Sequence, residues 1–257
     1  MMAMRKAQSC EELLDIRARM VDWMIEVFTV YSGKGSNEYT YFKAVVFLDT
    51  LIDSGVVNPD NIHIYGIACM YLASNILDYG PMTIEEAYKD LAHGQFKKDY
   101  ILKYINKTIE ALEFNFRMPT WIEYLDKVIY DTFGDYREHL AEFNIRQTAV
   151  FALHACAFDV RYYSWDPFHL ATVTLLYAIN CFFSTFEKNQ RSVSELEKMM
   201  AQTSQENIVN HILNLRKANR PSVRQGLQEL NEYLESLKAR VKDSTYKQLS
   251  NLFHFEL

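Results

Sequence analysis

Residues 59–78 carry the sequence PDNIHIYGIACMYLASNILD. Apolar residues fall on nearly every side of a helix built from this stretch, a pattern typical of a helix that is buried all round. Four small residues within it would let neighbouring helices cross closely: Gly66, Ala68, Ala73 and Ser74. The pair Asn58 and Pro59 at its start predicts an N-cap followed by proline at the first helical position. We therefore predict a central helix over about residues 59–78.

Helical patterns with clear boundaries lie on both sides of this central segment. Apolar residues recur at helical spacing from about 11 to 31, and a glycine-containing turn at 33–37 ends that helix. A second helix is predicted at about 39–53. After the central helix, Thr83 and Glu86 form the capping-box pattern of a short helix, and a further helix covers about 97–114. The first part of the chain is thus predicted to contain five helices.

The second half of the chain repeats this plan. The helices predicted here cover about 120–133, 137–160 and 205–219, with a short one capped by Ser192. Between them, Asp166-Pro167 opens an apolar helix in the same way as Asn58-Pro59. This repetition predicts a duplicated five-helix unit. A last helix is predicted at about 222–242.

The composition supports an all-α fold. Gly (8) and Pro (5) together make up about 5% of the 257 residues, against roughly 12% in an average protein. Sandwiches and barrels need frequent turns, so this low content argues against them. The apolar fraction of 49% provides enough material for a core. We predict an all-α chain with two tandem five-helix domains, at 1–117 and 118–220, and a C-terminal helix and tail at 221–257.

Charge and cysteine usage exclude several classes of function. The net charge is −6, whereas a nucleic-acid-binding domain normally shows a basic excess. No apolar run approaches the roughly 18 residues of a membrane span, and the first six residues lack the apolar stretch of a signal peptide. The four cysteines are far apart, as expected of reduced thiols. We expect a protein inside the cell, in the nucleus or cytoplasm, that binds neither nucleic acid nor membrane.

The residue clusters that could carry chemistry are weak. His154 and Cys156 form the only close His/Cys pair, and residues two apart do not share a helix face. The glycine-containing stretch at 33–36 lacks the spacing of a phosphate-binding loop and follows a helix, so we interpret it as a turn. We predict no catalytic residues, no metal site and no cofactor, and therefore a protein that is not an enzyme.

Several segments resemble the cyclin family. Residues 16–27, IRARMVDWMIEV, resemble the first helix of a cyclin box, and 41–52 and 66–74 resemble its second and third helices. Residues 112–120 resemble the passage between two boxes, and 164–171 resemble the corresponding helix of a second box. The resemblance implies two tandem cyclin boxes, the N-terminal box at 1–117 and the C-terminal box at 118–220.

The resemblance implies a regulatory subunit that binds and activates a cyclin-dependent serine/threonine protein kinase. A cyclin presses its third and fifth helices against the mobile helix of the kinase, so that the catalytic groups of the kinase take their active arrangement. The matching positions here are Leu72, Asn75, Ile76, Ile105, Ile109 and Phe114. Leu72 and Phe114 could equally belong to the core of a helix bundle.

Two of these positions depart from the family pattern. Cyclins usually carry Lys at the end of the third helix and Glu on the fifth, and this pair hydrogen-bonds the kinase backbone. Asn75 and Ile105 stand at these positions. The departure favours either a divergent kinase partner or a non-kinase scaffold within a larger assembly. Restoring the pair with Asn75→Lys and Ile105→Glu is expected to raise affinity for a conventional cyclin-dependent kinase.

The family resemblance leaves one further alternative. A relative of the transcription factor IIB type uses the same double box on promoter DNA. The net charge of −6 argues against DNA binding of this kind, because contacts to the phosphate backbone need positive charge.

The resemblance also implies a docking groove for Arg-x-Leu segments of kinase substrates. The matching positions are Ile16, Met20, Trp23, Glu26 and His63. Two positions depart from the family pattern of this groove. A position that is usually apolar is Arg19, and the position of an arginine that supports docking before the third helix is Pro59. Met20 and Trp23 could instead fill the core.

The two ends of the chain give two further expectations. The last predicted helix has an apolar stripe made of Leu227, Leu230, Leu234, Leu237 and Val241. Such a stripe indicates either a partner-binding surface or packing on the second five-helix unit. At the other end, ten residues precede Glu11, fewer than the usual degradation-signal extension of cyclins, so no such signal is expected.

Overall fold

The computed structural model describes residues 2–134, 144–188 and 221–241. Every regular element in these ranges is helical, which confirms the all-α prediction. The described residues divide into two compact units. The first unit contains residues 2–120 together with Ala157–Val160, and the second contains the described parts of Trp121–Cys156 and Arg161–Lys242. The domain boundaries at 117 and 220 stay predictions.

The described part of the first unit contains five α-helices and two short turns of other helical types. They are α1 (Met2–Val30), a 3₁₀ turn (Tyr31–Lys34), α2 (Glu38–Asp53), α3 (Ile62–Leu77), α4 (Ile84–Glu86) running into a π turn (Ala87–Leu91), and α5 (Lys98–Ala111). The capping box predicted at α4 is present, since the backbone N–H of Thr83 donates to Glu86 Oε2 (2.8 Å) and the backbone N–H of Glu86 donates to Thr83 Oγ1 (3.2 Å).

Helix α3 lies at the centre of the first unit, as its sequence predicts. It packs against α1, α2 and α5. The side chains of Ile67, Cys69 and Met70 are fully inaccessible to solvent. Gly66 permits the close crossing with α1, because a Cβ atom at this position would lie 2.5 Å from Met20 Sδ.

A buried ion pair ties α1 to α2 inside the first unit. Arg17 Nε and Nη2 donate to the two carboxylate oxygens of Asp49, at 2.6 and 2.7 Å. Arg17 Nη1 donates to the carbonyl oxygen of Ala157 (2.7 Å). The side chains of Arg17 and Asp49 are only 2% and 7% exposed. Removing one partner of such a pair leaves a buried charge uncompensated, at a cost of about 3–5 kcal/mol.

The start of α3 differs from the prediction. The helix begins at Ile62, so Asn58 and Pro59 lie in a turn before it rather than at its N-cap. Asn58 Oδ1 accepts hydrogen bonds from the backbone N–H groups of Asp60 (3.0 Å) and Asn61 (3.2 Å), which closes that turn locally. The matching prediction at Asp166 is confirmed, because its Oδ1 accepts from the N–H of His169 (2.8 Å) and the helix begins at Pro167.

The remaining helices follow from residue 121. They are α6 (Trp121–Phe133), α7 (Ile145–Ala157), α8 (Val160–Tyr163), α9 (Pro167–Lys188) and α10 (Pro221–Val241). In the second unit, α9 packs against both α6 and α10, with Leu170, Val173 and Ile179 fully inaccessible. The helices predicted at Ser192 and at 205–219 lie outside the described residues.

Three leucines of the apolar stripe of α10 pack on the second unit and are not free to bind a partner. Leu230, Leu234 and Leu237 are 0–4% exposed, and α10 packs against α9. Gly226 permits this close approach, because a Cβ atom there would lie 3.0 Å from both His169 Nε2 and Val173 Cγ2. Of the two readings of this stripe, packing is therefore confirmed.

Candidate partner-binding surface

The C-terminal end of α3 changes from buried to exposed within one turn. Leu72 is 7% exposed and Ala73 and Ser74 are fully buried, whereas Ile76 is 42% exposed and Leu77 is 44% exposed. Leu72 therefore belongs to the core of this chain. The apolar residues after it face solvent.

Hydrogen bonds from three segments hold the end of α3 in place. The carboxylate of Asp78 accepts from Ser36 Oγ (2.5 Å) and Thr40 Oγ1 (2.6 Å) at the start of α2. Ser74 Oγ accepts from the backbone N–H of Met82 (2.9 Å). Asn75 Nδ2 donates to the carbonyl oxygens of Tyr71 (2.8 Å) and Met82 (3.0 Å). The exposed residues of α3 are thus presented on a fixed backbone.

Helix α5 adds an apolar row beside α3. Leu102, Ile105 and Ile109 are spaced three and four residues apart, which places them on one face of the helix. Ile105 is only 5% exposed and Ile109 is half-buried, whereas Leu102 is 43% exposed. Sequence reasoning missed Leu102. Its spacing of three residues from Ile105 was the signal that could have found it.

Phe114 lies outside the core, on the segment that follows α5. Glu113 and Phe114 both have left-handed backbone conformations, with φ of 52° and 57°. This pair ends α5 three residues earlier than predicted. The Phe114 side chain is 69% exposed, while the ring of Phe116 lies 6.2 Å from that of Phe47 and anchors the segment. We call the set Ile76, Leu102, Ile109 and Phe114 the α3–α5 surface.

The predicted docking residues separate into a buried and an accessible group. Met20 is 7% exposed and lies under Gly66, so it belongs to the core. Trp23, Ile16 and His63 are partly exposed, and Glu26 is exposed. The rings of Trp23 and His63 meet edge to face with centroids 5.4 Å apart. The structure therefore brings Trp23 of α1 and His63 of α3 together at the surface.

An aromatic row continues from this pair to α5. Ring centroids are 5.6 Å apart between His63 and Phe96, 5.8 Å between Phe96 and Tyr100, and 4.8 Å between Tyr100 and Tyr104. The hydroxyl of Tyr100 donates to that of Tyr104 (3.2 Å). Sequence reasoning missed this row, because Phe96 and the two tyrosines are distant in sequence from Trp23.

The structure shows where the two residues that depart from the expected docking pattern lie. Arg19 Nη2 lies 2.8 Å from the carboxylate of Asp15 on the exposed face of α1. Pro59 lies in the turn before α3.

Two other kinds of site have no candidate within the described ranges. No helix there is both long and apolar enough to cross a membrane. No group of three or more His, Cys, Asp or Glu side chains in the same ranges is arranged to hold a metal ion.

Comparison with known proteins finds similarity over the N-terminal part of the chain. The model of the cyclin N-terminal domain matches residues 2–117. Cyclin-A2 of Xenopus laevis is 32% identical over 114 residues, which cover 44% of this chain and 26% of that protein. Cyclin-A1-4 of Oryza sativa is 28% identical over 105 residues, covering 41% of this chain and 28% of that protein. Residues 2–117 are thus similar to the N-terminal domain of cyclins.

A solved structure supports the fold of this chain. The X-ray structure of a viral cyclin from herpesvirus saimiri matches with a TM-score of 0.53 at 16% identity, covering 84% of this chain and 86% of that one. The chain spans about a quarter of the length of the two curated relatives named above. Cyclin-F of Bos taurus is 24% identical over 164 residues, which cover 63% of this chain and 19% of that protein.

The two positions that depart from the expected pattern both have contacts within the chain. Asn75 uses its amide N–H groups on Tyr71 and Met82, and Ile105 is buried beside α3. Neither position carries a charged side chain.

Proposed function

We propose that this chain is a cyclin, a non-catalytic regulatory subunit that binds and activates a cyclin-dependent serine/threonine protein kinase through the α3–α5 surface. The observation that carries the proposal is the exposure of large apolar side chains in the region matched by the cyclin N-terminal domain. Ile76, Leu102 and Phe114 are 42%, 43% and 69% exposed. Apolar surface left uncovered on a folded protein indicates an interaction site. Burial of these side chains at an interface would favour association.

In the proposed mechanism, the chain activates the kinase by holding the mobile helix of the kinase in place. A protein kinase is active when the lysine of a strand and the glutamate of its mobile helix form an ion pair. A firm apolar face pressed against that helix would hold it in the active position. The α3–α5 surface suits this role, because α3 is packed by α1, α2 and α5 and its end is fixed through Asp78. The chemistry of phosphoryl transfer would belong to the kinase.

The substitution Leu102→Glu tests the proposal with little risk to the fold, since Leu102 is 43% exposed. Purified chain is immobilised and its capture of a purified cyclin-dependent kinase is measured. A charge on an apolar interface should weaken capture about tenfold or more. Asn106→Glu is the matched control, because Asn106 is an exposed polar residue of the same helix. Equal capture by the parent and both variants would exclude this face as the kinase-binding surface.

A non-kinase scaffold is the second candidate function, and one observation favours it. Asn75 and Ile105 offer no charged anchors to a kinase backbone. Identification of the proteins that co-purify with the parent separates the two functions. A kinase catalytic subunit lost from the Leu102→Glu preparation supports the regulatory function. A different protein lost in the same way, with no kinase present, supports the scaffold.

We propose in addition that Trp23, His63 and Glu26 dock Arg-x-Leu segments of kinase substrates. The exposed carboxylate of Glu26 suits the arginine of such a segment. Burial lowers the pKa of His63, and the nearby charge of His93 lowers it further. The lowered pKa favours the neutral imidazole, which does not repel the arginine.

A further inference from the structure

The second unit contains a cavity of about 320 Å³ that the proposed function does not use. One wall comes from α8 and the residues that follow it, and the other from one face of α10. The lining residues are Arg161, Tyr162, Trp165, Glu229, Glu232, Tyr233 and Ser236. This volume is at the small end of the range of about 300–1,000 Å³ for ligand sites, so it suits one long side chain.

Three aromatic rings form the floor of the cavity. The rings of Tyr162 and Trp165 meet edge to face with centroids 4.9 Å apart, and those of Tyr162 and Tyr233 are 5.1 Å apart. Tyr162 and Tyr233 are 3% and 6% exposed. The hydroxyl of Tyr233 also donates to the carbonyl oxygen of Ala155 (2.9 Å). The aromatic floor is thus held in place before any ligand arrives.

Two carboxylates stand at the rim on α10. Glu229 and Glu232 are exposed, and their spacing of three residues places them on the same face of the helix. Each accepts a hydrogen bond of 2.9 Å from a glutamine amide one turn earlier, Gln225 and Gln228 respectively. These neutral donors orient the carboxylates and leave their charge in place.

The chain already places one cation over this floor. The guanidinium carbon of Arg161 lies 5.6 Å from the centroid of the Tyr233 ring. The face of an aromatic ring attracts a cation through its quadrupole. With one arginine against two glutamates, the lining carries a net charge of −1, which favours a cationic ligand over an anionic one.

We propose that this cavity, between Arg161–Trp165 and α10, is a recognition pocket for an arginine or lysine side chain from a basic segment of a partner protein. The aliphatic stem of the incoming residue would lie along Trp165 and Tyr162. Its charged head would meet the carboxylates of Glu229 and Glu232. Arg161 competes for the Tyr233 face and so limits the affinity.

Nuclear magnetic resonance of the full chain tests the pocket. The probes are acetyl-Gly-Arg-Gly-amide and the same peptide with citrulline, a neutral analogue of arginine. The chain has three tryptophans, and the indole N–H signal of Trp121 is the internal control for that of Trp165. The arginine peptide should shift the Trp165 signal and leave that of Trp121 in place, and the citrulline peptide should shift Trp165 with about tenfold weaker binding. Equal binding of the two peptides, or shifts confined to Trp23, would refute the pocket.

Substitutions of the lining sharpen the test. The double change Glu229→Gln with Glu232→Gln should weaken the arginine peptide by about three- to tenfold. Glu235→Gln is the matched control on α10, because Glu235 is exposed and does not line the cavity. Arg161→Ala should strengthen binding by removing the competing cation. Weaker binding in Arg161→Ala, or equal losses in the double variant and the control, would overturn the proposal.

Discussion

At the scale of single residues, the burial of Ile105 decides what a charge there would do. Ile105 is 5% exposed, and Asn75 already donates to Tyr71 and Met82. Ile105→Glu would place a carboxylate against α3, and Asn75→Lys would remove two hydrogen bonds at the end of the same helix. We therefore expect the Lys and Glu pair implied by the cyclin resemblance to destabilise the fold at these two positions.

We expect Ile105→Glu to lower the free energy of unfolding by about 2–4 kcal/mol. Urea denaturation followed by circular dichroism measures the change. Asn106→Glu, on the exposed side of α5, should stay within about 0.5 kcal/mol of the parent. Similar stability of the two variants would show that Ile105 is not enclosed. In that case the gain in kinase affinity that the sequence predicts for Asn75→Lys with Ile105→Glu can be measured on a stably folded chain.

Trp23 and Met20 are expected to respond differently to truncation. Met20 is buried under Gly66, so Met20→Ala should cost about 2–4 kcal/mol of stability. Trp23 is only partly buried, so Trp23→Ala should cost about 1–2 kcal/mol while abolishing binding of an Arg-x-Leu peptide. The measurements are urea denaturation and peptide titration. A loss of stability in Trp23→Ala as large as that in Met20→Ala, together with no peptide binding by the parent, would assign Trp23 to the core.

At the scale of elements, one ion pair links the turn after α1 to α4. Lys34 donates to Glu86, and the backbone N–H of Thr83 donates to the same carboxylate. These two contacts, the Lys34 bond first, lower the pKa of Glu86 to about 2 from 4.5. Because the folded pKa is the lower one, this stability is present above about pH 4.5 and is lost as the pH falls towards 2.

We expect Glu86→Gln to remove on the order of 1–2 kcal/mol at pH 7, allowing for partial solvent screening. The variant should also lose less stability than the parent between pH 4.5 and 2. Thermal unfolding across this pH range measures both effects. Glu110→Gln, an exposed change on α5, is the control. An unchanged acid dependence in Glu86→Gln would show that the link to Lys34 carries no stability.

The ends of helices could be predicted from the sequence where local contacts set them. The cap at Asp166 and the capping box of Thr83 and Glu86 involve residues three apart, and both are present. Asn58 failed as a cap because its side chain closes a turn with Asp60 and Asn61, a competing local arrangement. Local patterns do not decide between such alternatives.

The accessible part of the candidate surface was harder to predict, because exposure depends on packing between helices. The sequence places Leu72, Ile105 and Phe114 together as candidates, yet only Phe114 is exposed. Its exposure follows from the left-handed backbone at Glu113 and Phe114. No capping pattern in the sequence predicts this conformation. Family resemblance supplied the helices involved, and the structure supplied which side chains face outward.

At the scale of the whole molecule, α10 is part of the second unit. Leu234 is 4% exposed in the interface with α9. We expect Leu234→Ala to cost about 2–4 kcal/mol, with faster amide exchange in α9 and α6. Hydrogen exchange read by mass spectrometry measures this effect. Leu227→Ala, at a half-buried position of the same helix, should cost clearly less. Equal exchange in the two variants would show that α10 contributes nothing to the stability of the unit.

The dissociation constant of the complex with a purified cyclin-dependent kinase tests kinase binding most directly. Phe114→Ser and Phe168→Ser make the same change at side chains that are 69% and 46% exposed, in the first and second unit respectively. We expect Phe114→Ser to weaken the complex by about 10- to 100-fold and to lower kinase activity at limiting concentration, because an aromatic anchor leaves the interface. Phe168→Ser should leave both unchanged. Identical dissociation constants for the parent and both variants would contradict the α3–α5 surface as the kinase-binding site.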